Sequence, residues 1–117
     1  MRVLVTVSPQ MYRQAVAIAI LRHRPDAEVL IASPEDLDGQ ARSFAPHAVV
    51  RNDDGEQLDV PEGVVCWVGV LITDSMNARI SVGGRVTGAH DVSIEKLIAA
   101  LDEAEALVEE EDGVLPA

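Results

Sequence analysis

The chain opens on a short β-branched run, Arg2-Val3-Leu4-Val5-Thr6-Val7, passes into helical spacing over residues 10–24, and returns to an extended run at Glu28-Val29-Leu30-Ile31-Ala32. This strand–helix–strand order constrains the fold more than any other feature. Two parallel strands need a long crossover and a helix is the usual one, so the pattern predicts an α/β fold.

Local signals place the elements. Ser8 suits an N-cap and Pro9 the first helical position, which predicts a helix starting there. Met11, Ala15, Ile18 and Tyr12, Val16, Ala19 form adjacent rows, predicting a wide apolar face packed on a sheet, and Pro25 ends the helix. Ser33 is the expected cap of a short second helix over 35–44, with Asp36 in the capping-box role. Pro46 opens a third strand over 47–52, and Asp53-Asp54-Gly55 starts a turn and a loop that reaches Gly63. The nearly all-apolar run 64–72 fits a central strand buried on both faces.

Beyond Ile72 the repeated strand–helix pattern stops. Asp74-Ser75-Met76-Asn77 reads as a tight turn, Ala78-Arg79-Ile80-Ser81-Val82 alternates, Gly83-Gly84 is a two-residue hairpin signal, and Arg85-Val86-Thr87 answers the preceding strand. An antiparallel β-meander is expected here. A last helix, capped by Ser93, carries the stripe Ile94, Leu97, Ile98, Leu101, Ala104, Val108. The predicted architecture is a two-layer or three-layer mixed sheet. An N-terminal βαβαβ half supplies three parallel strands, the meander extends them, and three helices cover the sheet. Right-handed crossovers put the first strand between the second and third. The expected domain is residues 1–110, followed by an acidic flexible tail at 111–117.

Composition narrows the function classes. With 117 residues and 48% hydrophobic content the chain supports one packed domain, and 3% aromatics means a core of Val, Ile, Leu and Ala. The single cysteine, Cys66, excludes an internal disulfide framework and lies in an apolar run, as a buried small hydrophobe does. A net charge of −11 makes nucleic acid a poor partner, because phosphate binding relies on clustered Lys and Arg. No apolar stretch is long enough for a bilayer span and the N-terminus lacks a signal-peptide pattern, so no membrane partner and a cytoplasmic location are expected.

Ligands of open α/β sheets bind beyond the carboxyl ends of the parallel strands. That edge gathers the candidate ligand-binding residues Ser8, Tyr12, Arg13, Ser33, Asn52, Asp53 and Asp54. Arg13 is positioned to reach an anion or an acid on the following loop. Asp53 and Asp54 read as a solvated turn, since the first strand ends in Ser8-Pro9 and supplies no further carboxylate for a metal. No phosphate-binding glycine fingerprint occurs, and none of His23, His47 and His90 has an evident catalytic partner. No catalytic residue, metal or cofactor is therefore assigned. Trp67 reads as core packing.

Residues 2–53 resemble the receiver domains of bacterial response regulators. Val3-Leu4-Val5-Thr6-Val7, the helix beginning Met11-Tyr12-Arg13 and Arg22-His23-Arg24-Pro25-Asp26-Ala27-Glu28-Val29 look like that family's opening βαβ. Phe44-Ala45-Pro46-His47-Ala48-Val49-Val50 looks like the approach to its phosphoacceptor strand. The resemblance implies a flavodoxin-like first half without the phosphorylation chemistry. Ser8 and Pro9 replace the acidic pair, Asn52 stands at the phosphoacceptor position, and Asp53, one residue late, points to the other side of a strand. The only lysine, Lys96, lies in the final helix. The expected function is a non-enzymatic regulatory or protein-interaction module, independent of phosphorylation. It would meet a protein partner or a second copy through the strand-end loops or the meander edge. A small-ligand or nucleotide-binding protein using the same strand ends is the alternative, and an enzyme with an acidic site at Asp53 and Asp54 is a third class.

Overall fold

The computed structural model describes residues 1–8, 10–53, 63–72, 76–89 and 93–113, the side chains of residues 71, 72, 76, 89, 94 and 109–113 excepted. The elements are β1 (Arg2–Val5), α1 (Gln10–His23), β2 (Glu28–Ile31), a 3-10 turn (Pro34–Asp36), α2 (Leu37–Phe44), β3 (Ala48–Asn52), β4 (Cys66–Ile72), β5 (Met76–Val82), β6 (Arg85–Ala89) and α3 (Ile94–Gly113). They build a six-stranded mixed sheet of order β2-β1-β3-β4-β5-β6. The first strand does lie between the second and third. The parallel part holds four strands rather than three, because β4 pairs parallel to β3 (Ala48 opposite Cys66 through Asn52 opposite Val70). An apolar run signals burial on both faces but carries no information on strand direction.

Alternation along the strands sends side chains to two separate cores. Val3, Val5, Val50, Val68, Ala78, Ile80 and Val82 face α1 and α3, which contribute Val16, Ile20, Leu97, Ile98, Leu101 and Ala104. Leu4, Val49 and Trp67 occupy the opposite face, where α2 adds Leu37, Ala41 and Phe44. The sheet thus has helices on both sides.

Two expectations about helices change. In α1 the inward residues are Val16, Ala17 and Ile20, whereas Met11 is 81% and Ile18 52% exposed and Ala15 is also exposed. The row Met11, Ala15, Ile18 therefore faces away from the sheet. This helix is apolar on nearly every side, so spacing alone does not select the buried face. Ser33 has extended backbone and its hydroxyl makes no capping bond to an amide. It donates instead to the Asp36 carboxylate at 2.9 Å, and the chain enters α2 through the 3-10 turn. Ser93 does cap α3, its Oγ accepting the Lys96 amide N–H at 3.3 Å. Pro9 lies outside the described residues.

The meander is present, and longer than expected. Met76 and Asn77 belong to β5, opposite Ile72 and Leu71, rather than to a turn. Gly83 and Gly84 form the hairpin with φ of 59° and 86°, the left-handed conformation that a two-residue turn of this kind requires. Among the described residues β2 and β6 each pair on one side only, making them the sheet edges.

Ala45 ends α2 with φ 50° and ψ 59°. Its Cβ crowds the following carbonyl there, a position glycine fills without strain. Ala45→Gly is expected to raise unfolding stability by about 0.5–1 kcal/mol after the entropic cost of glycine, read as a higher urea midpoint at unchanged m-value.

Candidate functional site

The carboxyl ends of β1, β2 and β3 form the edge on which the candidate residues were placed, and here the geometry divides them. Asn52 turns toward the α1 side, and its Oδ1 accepts the backbone N–H of Ser8 at 3.1 Å. This bond ties the exit of β1 to the end of β3. Arg13 donates from Nη1 to the carbonyl of Ala32 at 2.7 Å, fastening α1 to the end of β2. Ser33 is held by Asp36, as described. Tyr12 packs against the α1–α3 core, where burial raises the pKa of its hydroxyl. Asp54 lies outside the described residues.

Asp53 leaves this group altogether. One residue beyond Asn52, it falls on the opposite face of the sheet, and its two carboxylate oxygens accept from Nε and Nη2 of Arg79, both at 2.6 Å. Its side chain is 8% exposed. A bidentate guanidinium–carboxylate pair at this depth is strong and orientationally fixed. Gly69 makes it possible. In the sheet Gly69 stands between Arg51 and Arg79, and a Cβ there would lie 3.2 Å from Asp53 Cβ and 2.5 Å from two ring atoms of Trp67. The vacant position admits the indole, over which the Arg51 guanidinium sits 5.8 Å from the ring centroid.

Sequence reasoning missed Arg79 as the partner of Asp53. The available signal was parity: Arg79 alternates with buried Ala78 and Ile80 and so shares a face with Trp67. The pairing itself spans 26 residues of chain and depends on sheet order.

Among the described residues two buried polar atoms near the strand ends, Thr6 Oγ1 and Arg13 Nε, have no hydrogen-bond partner, and both are sealed from solvent. Among the described residues no group of three or more His, Cys, Asp or Glu is placed to hold a metal ion, and no helix is long and apolar enough to cross a membrane. Cys66 is fully buried, and burial, helped by the negative charge of Glu103, pushes its thiol up from 9.0 to about 12. That keeps it protonated and inert as a nucleophile at neutral pH. Compared with protein-family models, curated proteins and solved structures, the chain matches none.

Two outcomes are expected. Arg79→Gln should destabilise by about 2–3 kcal/mol because it strands a buried carboxylate. Asp53→Asn added to it should recover part of that loss, giving a coupling energy in a denaturation double-mutant cycle. For Cys66, the unfolded thiol ionises above pH 9.0 while the folded one holds its proton to about 12. Its share of stability is intact below pH 9.0 and lost as pH rises through that window. The stability difference between wild type and Cys66→Ala should therefore fall by about 1.4 kcal/mol per pH unit in that window and stay flat below it.

Proposed function

We propose that this chain is a non-enzymatic binding module, receiver-like and flavodoxin-like in its first half, that acts without phosphorylation and works as a homodimer through the face formed by α1 and α3. One contrast carries the reading. The side chains of Arg13, Ser33, Asn52 and Asp53 at the strand ends are engaged within the chain, whereas large apolar side chains are bare on α1: Met11 at 81%, Ile18 at 52% and Leu21 at 42% exposed. Exposed apolar clusters rimmed by charge favour protein association.

Beside these residues lies a groove of about 600 Å3 lined by Ala19, Arg22, His23, Glu95, Ile98 and Asp102, among others. Its α1 wall is basic and its α3 wall acidic. Asp102 is engaged by Arg24 and His23. Arg22 and Glu95 have no charged partner among the described residues. A two-fold axis along the groove sets α1 of one copy on α3 of the other, bringing each Arg22 toward the partner copy's Glu95. Such a contact is self-complementary in shape and charge, as an isologous interface must be. The competing surface is the outer edge of β6, where Val86 is exposed.

Light scattering on the purified chain tests this. A dimer is expected that Arg22→Glu dissociates, that Arg22→Glu with Glu95→Arg restores, and that Val86→Lys leaves intact. A strict monomer overturns the reading, and a dimer lost only in Val86→Lys moves the interface to β6. Treatment with a small-molecule phosphodonor should give no stable mass increase, since Asp53 is committed to Arg79; a phosphate adduct there would refute independence from phosphorylation.

A further inference from the structure

At the end of the sheet opposite the strand-end crest, the first residue of β1, the last turn of α2 and the approaches to β3 and β4 enclose a cavity of about 780 Å3. Its floor is apolar, from Ala41, Ala45, Pro46 and Val64, and its charged lining is Arg2, Arg42, His47 and Asp38. In a chain with twenty acids against nine bases, this pair of arginines stands out for what it lacks. Arg24, Arg79 and Arg85 are each held by a carboxylate. Arg2 and Arg42 are held through Nε alone, and by backbone carbonyls: Arg2 Nε donates to Ala45 O at 2.9 Å and Arg42 Nε to Asp38 O at 3.4 Å. The Arg2 bond satisfies the carbonyl end of α2, which a cation suits in any case, whereas the Arg42 bond goes to a carbonyl in the first turn of the same helix. Both leave the Nη nitrogens of their guanidiniums without a partner among the described residues.

His47 adds a third polar wall. Its Nδ1 accepts the Arg2 backbone N–H at 3.0 Å, so the neutral ring carries its proton on Nε2. The cavity has the size of a small-molecule site, with an apolar floor and a few orienting polar groups. Two anchored guanidiniums present donor pairs that match carboxylate or phosphate oxygens. We propose that this basin binds a small organic oxyanion, a carboxylate or phosphate group carried on an apolar body, making it a ligand site separate from the α1–α3 face.

Amide chemical-shift titrations at fixed ionic strength, with benzoate, phenyl phosphate and inorganic phosphate as probes, test it. Saturable shifts centred on residues 2, 41–47 and 63–64 are expected with at least one organic probe, and inorganic phosphate should bind more weakly than phenyl phosphate. A response to benzoate or to phenyl phosphate alone identifies which oxyanion the basin takes. Arg42→Gln, an exposed substitution that preserves the fold, should weaken binding about tenfold or more, and Arg85→Gln should leave it unchanged. Absence of saturable shifts with either organic probe overturns the proposal. So does binding that Arg42→Gln does not weaken, or that Arg85→Gln weakens equally.

Discussion

The indole of Trp67 lies across Gly69, and much of one sheet face depends on the hydrogen atom that stands there in place of a side chain. A methyl group at that point would sit 2.5 Å from the ring, well inside van der Waals contact. With it absent, the strand carries the chain's one tryptophan at 5% exposure against Leu4 and Val49, filling a core that has few other large side chains. The same gap lets Asp53 lean over from β3 and meet Arg79 from β5, across the intervening strand. One missing Cβ thus joins three strands on the face against which α2 packs.

Electrostatics follows a division of labour. The chain is strongly acidic, and among the described residues three arginines fasten distant elements by carboxylates: β3 to β5, the end of α1 to α3, and β6 to α3. Exposed pairs such as Arg85 with Glu103 add little stability, whereas the buried carboxylate of Asp53 makes its pair structurally decisive. Arg13 does similar work through a carbonyl at the crest. The binding proposals rest on Arg2, Arg22 and Arg42, which make no ion pair among the described residues.

How much of this is legible in the sequence depends on the range of the interaction. The βαβ opening, the central strand, the Gly83-Gly84 hairpin and the Ser93 cap are written in local periodicity and turn chemistry, and each appears where its residues place it. The placement of Asp53 on the face opposite Asn52 follows from strand parity alone. The buried face of α1 is not legible, because Met11, Ala15 and Ile18 are as apolar as the residues that pack inward. The direction of β4 and the identity of Asp53's partner are set by pairings between distant segments. The candidate strand-end residues likewise share an edge, yet local hydrogen bonds divide them into separate pairs that sequence position does not reveal.

The sheet's mixed construction bears on the order in which it assembles. Strands β4, β5 and β6 follow one another along the chain and pair with their neighbours, so each closes over a short loop at little entropic expense. The β1–β3 pairing instead joins residues some 45 positions apart, with two helices and an edge strand in between. Local ribbons form in microseconds, while distant parallel registers wait on the rest of the chain. On this ground the C-terminal half is expected to supply the nucleus, with the N-terminal half docking onto the flank of β4 as the late step.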